Sequence, residues 1–91
     1  MHDNNDIIVK KIEMRGISRE EIADYFVDIS ESAYGDKIFY GIDWVVEVGD
    51  EKPCLLGSIT LKEVDIIFSA SQETLEVLLA DFRLKFMRAG G

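Results

Sequence analysis

The sequence is short of several things that enzyme chemistry and nucleic-acid binding draw on. It has one cysteine, Cys54, so no internal disulfide can form and a reducing compartment suits it. Its one histidine, His2, sits in a polar start. A cysteine nucleophile needs a neighbouring base, usually histidine, so this pair does not read as a catalytic dyad. A metal centre is not expected either, because carboxylates alone show no ligand spacing. There is one proline and no Gly/Ser or Pro/Ser tract, which leaves no linker and no low-complexity segment. Lys and Arg number 10 against 18 Asp and Glu, a net charge of −8. Phosphate backbones and anionic lipid surfaces would repel such a chain overall, so neither nucleic acid nor membrane is an expected partner. No apolar run approaches the ~18 residues of a membrane span. The start "MHDNNDIIVKK" has no apolar core of the kind a signal peptide carries. The expectation is a soluble, cytoplasmic protein.

What is present is enough for one domain. The chain has 91 residues and 47% hydrophobic content. A domain of this size buries about 60–65% of its unfolded surface. Residues 1–5 read as a disordered, polar tail. From Asp6 to Arg15 the pattern alternates, with Ile8, Ile12 and Met14 on one parity, and predicts a half-buried strand. Gly16 ends it. "ISREEI" then carries a capping box, Ser18 with Glu21, flanked by an Ile17/Ile22 hydrophobic staple. A helix therefore starts at Ser18, buries Ile22, Phe26 and Ile29 with Tyr25 beside them, and ends near residues 30–32.

"AYGDK" reads as a turn and "KIFY" as a short strand broken by Gly41. Ile42, Trp44, Val46 and Val48 share a parity and predict another strand. "GDEKP", Gly49 to Pro53, reads as a hairpin loop. "CLLGSITL" and "VDIIFS" then read as two further strands hinged near Lys62-Glu63. Last, Leu75, Leu78, Leu79, Phe82 and Phe86 fall at helical spacing, with Ser69 or Ser71 as cap. Glu73 and Glu76 near the start, and Arg83, Lys85 and Arg88 near the end, complement the helix dipole.

The predicted order is β-α-β-β-β-β-α. Consecutive short strands joined by tight turns pair antiparallel. The predicted fold is thus α+β, a five-stranded antiparallel sheet with two helices on one face. Apolar residues on the second parity (Val45, Leu56, Ile67) indicate that the other face is not fully wet, and make a homodimer or another protein partner an expectation.

The chain closes in "KFMRAGG". Gly90-Gly91 has two readings. A sulfur carrier activates a terminal Gly-Gly as an acyl-adenylate and then bears sulfur as a thiocarboxylate. Glycine is also the commonest stop just past a helix, and basic residues in the preceding turn favour that reading. A β-grasp carrier would further show two strands ahead of its main helix, and this chain shows one. A second candidate is "RGISR": a helix N-terminus flanked by Arg15 and Arg19 can hold an anion or a partner, with Arg83, Lys85 and Arg88 as the other basic cluster. A third is a small apolar ligand between sheet and C-terminal helix, lined by Trp44, Phe82 and Phe86.

"MRGISREEIADYFVDI", the Trp of "GIDW" and the closing "FRLKFMRAGG" resemble the C-terminal domain of proteins related to the small subunit of molybdopterin synthase, the MoaD-related proteins. In those proteins the domain follows a β-grasp sulfur carrier and has a TATA-box-binding-protein-like β-α-β(4)-α fold. The resemblance implies a link to molybdenum- or tungsten-pterin cofactor assembly. It implies no activity of this domain's own, and a sulfur-carrier role does not transfer from the fusion, because the β-grasp carrier has no counterpart in this sequence. The expectation is a non-enzymatic accessory module without a cofactor, with a sulfur carrier as the alternative.

Overall fold

The computed structural model describes residues 6–86. The expected polar tail, residues 1–5, and the expected basic helix end and terminal glycines, Arg88, Gly90 and Gly91, lie outside the described residues. Seven elements follow one another: β1 (Ile8–Arg15), α1 (Arg19–Ile29), β2 (Ser32–Tyr34), β3 (Ile38–Tyr40), β4 (Trp44–Leu56), β5 (Ile59–Ala70) and α2 (Gln72–Phe86). The sheet is antiparallel throughout, in the order β1-β5-β4-β3-β2. This is the predicted β-α-β-β-β-β-α architecture.

The helices begin where their caps dictate. Ser18 Oγ accepts from the Glu21 N–H at 3.2 Å. Ser71 Oγ accepts from the Thr74 N–H, so Ser71 rather than Ser69 caps α2. The cap satisfies an amide that has no partner inside its own helix. Both helices then lie on one face of the sheet. Ile22, Ala23 and Phe26 from α1, and Leu75, Leu78, Leu79 and Phe82 from α2, join Met14, Phe39, Val46, Val48, Val64, Ile66, Phe68 and Ala70 in a single core. Phe26 is its centre: its ring stacks on Phe82 at 5.7 Å and meets Phe68 and Phe39 at 5.9 Å. Aromatic pairs at such distances add attraction beyond the area they bury.

Three boundaries differ from the sequence reading. "GDEKP" is not a hairpin loop. It lies inside β4, where a register shift between Val48 and Glu51 against β5 accommodates one extra residue, a β-bulge. The bulge switches parity, so Val46 and Val48 before it and Glu51 after it all point to the helix side. Gly49 suits this place, since a Cβ there would sit 3.1 Å from the Asp65 carbonyl. Pro53 pairs with Lys62 beyond the last residues of β4 that β3 covers, where the strand has an open edge and a missing N–H is tolerated. The hairpin turn is Gly57-Ser58 instead, with Gly57 at φ +63°, and β5 runs unbroken through Lys62-Glu63. Finally, Ser32–Tyr34 of the expected turn region is a strand, linked to β3 by a turn with Gly35 at φ +62°. The count of strands held because a lost break and an added short strand offset each other.

Candidate interaction surfaces

The strand register places side chains on two distinct surfaces. One is the outer face of the sheet, away from the helices. Val9, Ser69, Val45 and Tyr40 form one row across it, and Lys11, Ile67, Glu47 and Ile38 the next. Val9 and Tyr34 are 65% and 73% exposed, while Val45 and Ile67 are half-buried. Leu56 and Ile59 form a second apolar spot where the β4–β5 ribbon turns. The partly wet outer face expected from Val45, Leu56 and Ile67 is therefore present.

Between these apolar areas runs a belt of charge. Asp65 meets Lys52 at 3.3 Å and Lys11 at 3.7 Å. Arg15 reaches Glu13 at 3.4 Å and Glu63 at 3.8 Å. Glu13, Glu63 and Asp65 each offer an oxygen within 4.8 Å of the others. Lys11, Arg15 and Lys52 answer those three charges, so the group reads as an ion-pair network. The hydrogen bond and charge of Asp65 raise the Lys52 ammonium above its ordinary pKa. Exposed pairs of this kind contribute little to stability, about 0–1 kcal/mol each.

The "RGISR" segment does something other than gather an anion. The backbone N–H of Arg19, at the start of α1, donates to Glu51 Oε1 at 2.9 Å. A carboxylate of the chain itself thus takes the place an external anion would occupy. The Arg19 guanidinium is spent on the sheet: Nε donates to the Gly49 carbonyl at 2.8 Å, and Nη2 to the carbonyls of Asp36 (2.7 Å) and Val48 (3.2 Å). Nη1 pairs with the Asp36 carboxylate at 3.1 Å. One side chain therefore ties α1 to the β2–β3 turn and to the bulge of β4. Its spacing to Glu51 and Gly49 in sequence carried no signal, because the bulge that brings them together is a tertiary feature.

The basic residues do not form one cluster among the described residues. Arg15 is on the outer face with Glu63, and Arg19 is half-buried against the bulge. Arg83 and Lys85 lie in the last turn of α2, and Lys85 lines a cleft on the helix side opposite Glu21, Asp24 and Asp28.

That cleft is part of the second surface, a groove between α1 and α2. Two adjoining clefts, of about 470 and 580 Å³, share Tyr25 and Ile29. Trp44, Val77 and Leu78 continue the lining at one end, and Phe86 closes the other. Tyr25 packs edge-on against Phe26, Phe82 and Phe86 at 5.1–5.8 Å. Burial and the nearby Asp81 charge push its hydroxyl pKa above the ordinary 10.0. The groove is open and lies between helices. Phe82 is fully buried beneath it and does not line either cleft. An apolar chamber between sheet and α2, lined by Trp44, Phe82 and Phe86, is therefore not what the packing provides.

Trp44 itself packs against the core with its ring 6.3 Å from Phe26. Its indole lies over Gly41, where a Cβ would come within 2.0 Å of Cε2. The "GIDW" pairing of glycine and tryptophan is thus one packing unit. Among the described residues, no helix is long and apolar enough to cross a membrane.

No curated protein and no solved structure gives a significant match to the chain. The archaeal MoaD-like protein family does match it, over residues 10–91, an interval that takes in the helix-capping segment, the Gly41–Trp44 unit and the closing Gly-Gly. On that extent, the chain belongs to the archaeal MoaD-like protein family.

Proposed function

We propose that this protein is a non-enzymatic accessory module that binds a protein partner in molybdenum- or tungsten-pterin cofactor assembly, or in the sulfur transfer that serves it. The observation that carries this reading is the outer sheet face. Its exposed apolar residues flank a belt in which Glu13, Glu63 and Asp65 are paired with Lys11, Arg15 and Lys52, so a partner that covers the belt strands none of these ions. Removing apolar area from water contributes roughly 25 cal/mol per Å². Membership of the archaeal MoaD-like family supports the choice of pathway. The test is titration calorimetry of this chain against a β-grasp sulfur carrier and against the large subunit of a molybdopterin synthase. Saturable binding to one of them, weakened about tenfold by Tyr34→Ser with Tyr40→Ser, is expected. Absence of binding to both, or binding indifferent to the two substitutions, defeats the reading.

A second reading, a sulfur carrier acting through the Gly91 carboxylate, is favoured by one observation: the family match runs to residue 91. ATP would convert that carboxylate to an acyl-adenylate with release of pyrophosphate, and hydrosulfide would then attack the acyl carbon and displace AMP to leave the thiocarboxylate. Intact-mass measurement after incubation with an activating enzyme, ATP and a sulfur donor decides it. A gain matching one sulfur-for-oxygen exchange supports the carrier. An unchanged mass, with a known carrier modified in the same mixture, removes it.

A further inference from the structure

We propose that the groove between α1 and α2 is a docking site for a cationic amphipathic helical segment of a partner protein. The inference concerns the helix side of the molecule and stands independently of the outer-face reading.

The geometry comes from helix periodicity. Glu21, Asp24 and Asp28 fall at i, i+3 and i+7, and so form one stripe along α1. Glu73 and Asp81, with Val77 between them, fall at successive i+4 steps along α2. The α2 stripe lines one of the two adjoining clefts and the α1 stripe lines the other, and Tyr25 and Ile29 are common to both. The floor of the groove is apolar: Tyr25, Ile29, Trp44 and Phe86. Among the described residues the lining holds six carboxylates, with Asp43 the sixth, and one cation, Lys85. Among the described residues, Glu21, Asp24, Asp28, Glu73 and Asp81 form no ion pair. On the outer face, by contrast, Lys11, Arg15 and Lys52 balance the acids around them. The acidic excess of the chain is therefore concentrated along an apolar trough.

This pattern selects its occupant. An anionic segment is repelled from both stripes. A purely apolar one leaves the carboxylates without counter-charge. A helix with apolar residues at i and i+4, flanked on both sides by Lys or Arg, satisfies floor and stripes together. The α1 stripe, seven steps from Glu21 to Asp28, corresponds to about 10 Å, or two turns, of such a helix.

The probe is a synthetic Lys/Leu peptide with leucines at helical spacing, added to the full chain. A scrambled peptide of the same composition and a Glu/Leu peptide of the same pattern serve as comparisons. Trp44, the one tryptophan, lines the groove and reports occupancy by its fluorescence. Saturable binding of the Lys/Leu peptide, with a change in Trp44 emission, is expected. Raising salt should weaken it, because the stripe carboxylates are solvent-exposed. Asp24→Asn with Asp28→Asn and Asp81→Asn should reduce affinity about tenfold. These side chains are exposed, so the variant should keep the wild-type circular dichroism and melting temperature. Glu13→Gln with Glu47→Gln, on the outer face, should leave binding intact. Equal binding of the scrambled or Glu/Leu peptide, an unchanged Trp44 signal, or an equal loss from the outer-face variant overturns the proposal. A groove variant that alters the self-association of the chain without peptide also overturns it, since the occupant is then a second copy.

Discussion

Gly41→Ala is the sharpest test of how this fold is packed. The added Cβ would lie 2.0 Å from Trp44 Cε2, 2.1 Å from Nε1 and 2.5 Å from Cδ2. Ordinary carbon–carbon contact is about 3.5–4.0 Å. The indole, a rigid ring, would have to withdraw by roughly 1.5 Å to restore it. It cannot do so freely, because it leans on the core beside Phe26, and the Gly41 N–H bonds the Trp44 carbonyl at 2.8 Å. Overpacking of this kind costs about 1–3 kcal/mol. Alanine also restricts the unfolded chain, which offsets roughly 0.4–1 kcal/mol, since Gly41 is not in the left-handed region. The expected net loss is about 1–2 kcal/mol, a fall in melting temperature of about 5–15 °C for a domain of this length. Thermal and urea denaturation followed by circular dichroism measure it. The decisive comparison repeats Gly41→Ala in a Trp44→Leu background, where the clash is gone. There the substitution should be close to neutral. An equal loss in both backgrounds would refute the packing argument.

Arg19→Met should destabilise by about 2–3 kcal/mol, because it removes the donors to the Gly49, Val48 and Asp36 carbonyls while keeping the apolar stem. Arg19→Lys should recover only part of this, since one ammonium cannot span the same carbonyls, and urea midpoints of the three proteins give the order. Tyr25 provides a pH test. Its folded-state pKa is raised, so its contribution is fully present below the ordinary value of 10.0 and is lost as pH rises through the folded value. Denaturation midpoints of the wild type should therefore fall more steeply above about pH 10 than those of Tyr25→Phe, and parallel curves would contradict the assigned shift.

How much of this was legible in the sequence differs from element to element. Both helices were, because a Ser cap and a 3.6-residue apolar repeat are local properties of consecutive residues. The core stripes of α1 and α2 and the antiparallel α+β arrangement follow from the same local periodicities. Ile29, expected in the α1 stripe, is nevertheless 40% exposed, and β1 is covered only towards its end, at half-buried Ile12 and buried Met14. The β4–β5 hairpin was misplaced because Gly49-Asp50 and Pro53 are turn-forming residues. The Gly57-Ser58 pair between Leu56 and Ile59 was the better signal, a two-residue hairpin turn. Ser32–Tyr34 is too short to show alternation.

The surfaces were hardly legible at all. By itself the sequence determined that the chain is acidic and α+β, since composition and short-range patterning need no knowledge of long-range contacts. Only the tertiary structure decided what its charges do. Arg19 became an internal clamp because a bulge in β4, some thirty positions away, turned carbonyls toward it. Arg15 and Lys85 were separated onto opposite sides of the sheet by strand parity and helix placement. The carboxylates of two helices distant in sequence came to line two adjoining clefts of one groove. Each of these depends on which elements become neighbours, and that is settled by burial of a shared core rather than by any local run of residues.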